Sequence, residues 1–231
     1  MTSAPWVLIP TAQRDHVRDQ LAKWRGRGWK IGLLIDYENK TRRAIFEGDY
    51  NFLAISENYP GVWSAWNALA RAAVAIGAEV VCLAGDDMDP PLQPADEIAR
   101  MYLERFPSGL GVLQGTGDKQ GQAIDGKWNS ARICGSPIIG REWVKRAYRG
   151  NGPVDARYGS FYADEDLMHV ATKLGVLWQE ESVNIFHRHW SFRGGFPRED
   201  YHERNQRADW ARDKALFDES LALGFPEGEL L

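Results

Sequence analysis

Cysteine is scarce in this chain of 231 residues: Cys82 and Cys134 are the only two, and both sit inside apolar runs. Two such thiols frame neither a disulfide scaffold nor a zinc cage, so they read as buried and reduced, and a reducing cytoplasm is the expected compartment. Long apolar runs are missing too. The start, 1-MTSAPWVLIP-10, lacks a basic segment followed by an adequate apolar stretch, and Arg71 and Glu79 interrupt the most apolar later region. Neither a secretion signal nor a membrane span is expected. Charge of one sign is not in excess, and a net charge of -4 exerts no global pull toward nucleic acid or anionic lipid. There are no internal repeats or low-complexity linkers, which favours a single domain. Core-forming material, by contrast, is plentiful: 44% of residues are hydrophobic and ten are Trp, enough for one large domain.

The apolar pattern alternates between strand and helix. Residues 6-WVLIP-10 read as a strand, and 12-AQRDHVRDQLAKWRGRG-28 as a helix with Val17, Leu21 and Trp24 at helical spacing. Strands follow at 30-KIGLLIDYEN-39 and 51-NFLAISEN-58, then an Ala-rich helix at 63-WSAWNALARAAVAIG-77. The run 78-AEVVCLAG-85 is apolar after Glu79, as a central parallel strand covered on both faces should be. Further on come a helix at 95–106, a strand entering a Gly-rich loop at 109–121, and a strand, turn and helix over 131–148. A helix at 164–175, a strand at 176–190 and a charged tail helix from about Glu199 to Leu223 complete the chain. Alternation of this kind predicts an α/β fold with an open, mostly parallel sheet, in which ligands bind beyond the carboxyl ends of the strands. Asp36, the Ser56 to Asn58 stretch and the acids from Asp86 to Asp89 all fall at such ends.

The segment 80-VVCLAGDDMDPPLQ-93 delivers three carboxylates, Asp86, Asp87 and Asp89, at the end of the strand expected in the sheet centre. Clustered hard oxygens suit Mg²⁺ or Mn²⁺ with positions left open for phosphate. In extended backbone alternate residues share a face, which predicts that Asp87 and Asp89 point together and Asp86 away. The plainer reading is a solvated acidic turn ahead of the helix after Pro94. The motif 186-FHRHW-190 adds His187 and His189, which a strand would present on one face. Imidazole beside carboxylate shifts the preference slightly toward Mn²⁺. A third acidic group, 162-YADEDL-167, opens a predicted helix. Acids there complement the helix dipole, and one beside a cleft can also serve as a general base.

The helix 65-AWNALARAA-73 leading into 80-VVCLAGDDMDPP-91, then 133-ICGSPIIGREWVKRAY-148, 158-YGSFYADEDLMHVATKLG-175 and 187-HRH-189 together resemble the glycosyltransferases of the GT-A fold, of the inverting family-2 type. The resemblance implies a Rossmann-like sheet flanked by helices over residues 1–195, with 196–231 as a helical extension packed on or near it. It also implies transfer of a hexosyl or pentosyl group, with inversion, from a nucleotide-diphosphate sugar to an acceptor hydroxyl. The family's D-x-D motif holds Mn²⁺ or Mg²⁺ against the donor diphosphate. Here 85-GDD-87 occupies that place with Gly85 at the first acidic position, which leaves open which two of Asp86, Asp87 and Asp89 ligate the metal; Asp87 is the first choice, with Asp89 beside it and Asp86 as a donor contact. A histidine near the end often joins the metal, which points to His187 or His189. The family's E-D-x-D-L matches 163-ADEDL-167, placing the base at Asp164 with Asp166 as second choice. Asp36 matches the position that bonds the donor base, and Pro10 and Thr11 the backbone along the nucleotide. A carboxylate is a weak base at its reference pKa of ~3.9, so proton transfer would come late in the attack.

Two other functions remain open on sequence. A sugar-phosphate nucleotidyltransferase should carry a Gly-rich basic loop after the first strand, and 9-IPTAQRDH-16 has no glycine. A non-catalytic nucleotide-sugar-binding module is the other. The acceptor is a glycan, a small molecule or modified DNA. Basic residues among Arg14, Arg18, Lys23, Arg25, Arg27 and Lys30, and in 141-REWVKRAYRG-150, would suit a polyanion such as DNA bearing hydroxymethylated bases.

Overall fold

A computed structural model describes residues 4–11, 17–36, 48–116, 133–188 and 209–231. Strand β1 (Trp6–Pro10) is followed by helix α1 (Val17–Gly26), strands β2 (Lys30–Asp36) and β3 (Phe52–Ser56), and helix α2 (Val62–Ala75). Next come β4 (Val80–Leu83), the short β5 (Met88–Asp89), α3 (Ala95–Arg105), β6 (Val112–Gln114), β7 (Ile138–Gly140) and α4 (Arg141–Arg146). The chain continues through α5 (Ala163–Lys173), β8 (Leu177–Gln179), β9 (Phe186–His187) and α6 (Trp210–Ala222).

Seven strands form one sheet in the order β3-β2-β1-β4-β7-β6-β8, and β5 and β9 form a separate ribbon. Within the large sheet only β7 runs against its neighbours β4 and β6, and the other pairings there are parallel, whereas the β5–β9 ribbon is antiparallel. Strand alternation decides the layers. Trp6, Leu8, Val81 and Leu83 face α2, α4 and α5, whereas Val7, Ile9, Val80 and Cys82 face α1 and α3. Both faces are therefore dry, as parallel strands require. Burial also explains the thiols: Cys82 and Cys134 are buried and free, and desolvation pushes both above the ordinary thiol range. Among the described residues no helix is long and apolar enough to cross a membrane.

The chain runs outward from β1 through β2 to β3, then returns to place β4 on the other side of β1. That reversal opens a crevice between the carboxyl ends of β1 and β4, where open α/β sheets bind ligands.

Two expectations are corrected. In 131–148 the bend comes first and the strand second: Cys134 to Pro137 are irregular, and Ile138 and Ile139, both fully buried, make the strand that runs directly into α4. Proline lacks an N–H, but its carbonyl accepts from the Leu83 N–H at 2.9 Å, so pairing begins at the residue after it. The single strand expected over 176–190 is two. The Glu180 carboxylate accepts from the backbone N–H and hydroxyl of Ser182, the Thr116 N–H bonds the Val183 carbonyl, and Val183 and Ile185 sink into the core. The chain therefore leaves the large sheet and delivers β9 to the acidic turn.

Candidate active site

The acidic cluster follows β4 on a turn closed by the Met88 N–H donating to the Gly85 carbonyl. Tryptophans from the two helical layers pin it: Trp66 Nε1 donates to the Ala84 carbonyl at 3.2 Å and Trp24 Nε1 to the Met88 carbonyl at 2.9 Å. Because the backbone turns here, the parity expected of a strand does not hold, and the three acids take three directions. Asp86 is buried and accepts the Thr11 hydroxyl at 2.7 Å across the crevice. Asp87 faces β9. Asp89 faces α1. Gly85 leaves room for this arrangement, since a Cβ there would sit 2.6 Å from the Asp87 carboxylate. An acid in the family's first position would collide with Asp87 as it now stands.

The antiparallel ribbon sets Met88 opposite His187 and Asp89 opposite Phe186, and the Arg188 N–H donates to the Asp87 carbonyl at 2.9 Å. His187 Nε2 lies 3.3 Å from Asp87 Oδ2, with both side chains only partly exposed. Two residues separated by a hundred positions are thereby joined into one donor pair. Asp89 does not join them. Its Oδ2 accepts Arg188 Nε at 2.9 Å and Nη2 at 2.7 Å, and its Oδ1 accepts Lys23 Nζ at 2.7 Å. In the orientation that satisfies both its amide atoms, Gln20 adds a donor to Asp89 Oδ1 and accepts from Arg188 Nε. Asp89, expected as a metal ligand, is paired here with Arg188 and Lys23, contacts that fasten β9 and α1 to the turn.

The helix that carries Asp164 and Asp166 packs in the same layer as α2. The turn that leads into it passes Gly61 at the start of α2, where an added Cβ would lie 3.4 Å from the Gly159 carbonyl. Tyr162, the residue before α5, adopts a left-handed φ of 69°, and the Asp164 carbonyl accepts the Cys134 N–H at 2.9 Å. Asp164 is half-buried in the first turn, where its Oδ1 accepts the Glu165 N–H. Asp166 points the other way: it is 2% exposed, and its carboxylate accepts the hydroxyls of Tyr148 at 2.8 Å and Tyr158 at 3.1 Å. Burial pushes its pKa up to about 6, against the opposing effect of the two tyrosine hydrogen bonds. The second-choice base is thus buried and held by two tyrosine hydroxyls. Left-handed backbone at Tyr148 (φ 51°) and Arg149 (φ 55°), each costing on the order of 1 kcal/mol, is the strain accepted to aim that tyrosine.

Pro10 ends β1, and the Thr11 N–H bonds the Leu34 carbonyl of β2. Asp36 ends β2 beside Ser56 of β3. His189 lies outside the described residues, as do Arg14 and the expected boundary near 195. The basic stretches are largely answered by acids: Arg18 pairs with Asp49, Lys23 with Asp89, Lys145 with Glu142, and Arg149 with Glu227 and Glu229. Tyr158 was read from sequence as an aromatic that could stack on sugars or bases, whereas Tyr148 and Arg188 were not singled out, because nothing local distinguishes a tyrosine that bonds a carboxylate 18 residues away.

The pair Asp87 and His187 fits a divalent ion. Two donors on adjacent positions of one ion sit roughly 3 Å apart, close to the 3.3 Å between these atoms. Among the described residues no group of three such side chains gathers.

No family model matches the chain, and no curated protein matches its sequence. Solved structures match its fold. TarS of S. aureus, solved as residues 1–349 in complex with UDP, is 10% identical with a TM-score of 0.53, the match covering 79% of this chain and 59% of that one. A longer TarS structure is 11% identical at a TM-score of 0.58, covering 96% of this chain and 43% of that one. HddC of Yersinia pseudotuberculosis is 10% identical at 0.50, covering 89% of this chain and 99% of that one. The chain spans about half the length of the TarS structures it resembles. With its mixed, mostly parallel seven-stranded sheet flanked by helices, the chain has the GT-A fold.

Proposed function

We propose that this protein is an inverting glycosyltransferase that moves a sugar from a nucleotide-diphosphate donor to an acceptor hydroxyl. The observation that carries the reading is the β5–β9 ribbon, which seats His187 Nε2 3.3 Å from Asp87 Oδ2 at the carboxyl end of the central strand. That pair would hold Mn²⁺ or Mg²⁺, which when bound supplies Lewis-acid stabilisation of the departing diphosphate. Pro10 and Thr11 offer backbone along the crevice, Asp86 braces its floor through Thr11, and Asp36 stands at the β2 end where a donor base would lie. Asp164 receives the acceptor proton on its carboxylate, and Asp166 stays out of the chemistry. A single base acting on the face opposite the leaving group is sufficient for inversion. The fold likeness to TarS, solved with UDP, supports a nucleotide as donor handle.

The test is a mass-spectrometric panel of nucleotide sugars with and without Mn²⁺. Release of nucleoside diphosphate that EDTA abolishes is the expected result. Binding without turnover would mean a non-catalytic module. Pyrophosphate release from a nucleoside triphosphate and a sugar phosphate would instead make it a nucleotidyltransferase.

A further inference from the structure

The carboxylate of Asp213, on α6 near the end of the chain, is 0% exposed and collects three successive backbone N–H groups. Gly159 donates at 3.0 Å, Ser160 at 2.8 Å and Phe161 at 2.9 Å, and Arg212 adds Nε at 3.2 Å and Nη2 at 2.9 Å. Successive N–H groups converging on one point form an anion-binding concavity, here filled from within the chain. Burial works against the charge, yet those N–H groups and Arg212 hold the carboxyl below its ordinary range. The same turn is gripped twice more. Ser160 Oγ donates to Asp209 at 3.2 Å, and the Tyr162 ring stacks on Phe217 of α6 with centroids 5.2 Å apart.

The gripped residues, 159 to 162, are those that bring the chain into α5, and Asp164 follows two positions later. The left-handed Tyr162 between them makes the entry sensitive to how the preceding peptides are oriented. We propose that Asp213 is a positioning residue: it orders the Gly159–Phe161 peptides and thereby sets where the Asp164 carboxylate stands. The proposal rests on Asp164 as the base, and it makes α6 a component of the active site.

Asp213→Asn keeps the shape and removes the charge. In the full-length variant, amide exchange at Gly159, Ser160 and Phe161 should accelerate at least about tenfold, as loss of hydrogen bonds to a charged group implies. The ¹³C signal of the Asp164 carboxyl should move, and turnover of the best donor from the panel should fall about tenfold or more with UDP affinity unchanged. Asp213→Glu keeps the charge on a longer arm and should give intermediate values; it also serves should the Asn variant fold poorly. Glu219→Gln, on the exposed side of α6, should change none of these. An unmoved Asp164 signal and unchanged turnover in both Asp213 variants would overturn the proposal. Full turnover in Asp164→Asn would refute the base assignment instead, while the carboxyl signal still reports whether Asp213 positions that residue.

Discussion

Thr11 donates its hydroxyl to Asp86 at 2.7 Å across the seam where the strand order reverses, joining the ends of β1 and β4 at the mouth of the crevice. Both residues are buried, so removing the donor weakens the satisfaction of a desolvated carboxylate. Thr11→Val should destabilise the protein by about 1 to 3 kcal/mol, whereas Thr11→Ser should stay close to the parent. Urea denaturation of the three proteins measures the difference, and equal midpoints would contradict it.

The buried Asp166 gives the protein a pH signature. Its folded pKa of about 6 lies above the unfolded value of 3.8, so the stabilisation it contributes is complete below pH 4 and is lost as pH rises through 6. The loss amounts to on the order of 2 to 3 kcal/mol, because each tenfold gain in proton affinity on folding is worth about 1.4 kcal/mol. Comparing denaturation at pH 4.5 and 7.5, Asp166→Asn should lack this decline. A ¹³C titration of the Asp166 carboxyl should show a midpoint near 6, and a midpoint near 4 would remove the argument.

Asp87 and Asp89 separate in metal binding although they are two residues apart. Asp87→Ala should abolish Mn²⁺ binding as followed by electron paramagnetic resonance, because it removes one of the two paired donors. Asp89→Asn should weaken binding only about tenfold, through loosened contacts to Lys23 and Arg188 that steady His187. Equal losses in the two variants would mean that Asp89 reaches the ion.

Asp164→Asn should lower kcat by roughly 10² to 10⁴ and leave affinity for the nucleoside diphosphate of the best donor within about twofold, the pattern of a missing general base. Calorimetry with that nucleoside diphosphate alongside steady-state turnover separates the two effects.

Much of the fold was legible because alternating strands and helices leave strong periodic marks. The central strand VVCL, the Ala-rich α2 and the acidic start of α5 all stand where the pattern predicts. The failures occurred where tertiary contacts overrule local pattern: 131–140, where two buried isoleucines take the strand, and 176–190, where Glu180 and Val183 break one strand into two. At the site, the residue types were readable and their directions were not. A four-residue turn closed at Gly85 replaces the expected alternation, and it sends Asp86 to Thr11, Asp87 to His187 and Asp89 to Arg188.

By itself the sequence determined the α/β alternation and the strand-end placement of its acids, because composition and period encode local geometry. Only the tertiary structure decided which carboxylates face the crevice. That choice depends on partners far away in the chain: Tyr148 and Tyr158 draw Asp166 inward, Lys23 and Arg188 occupy Asp89, and Asp213 secures the turn before Asp164.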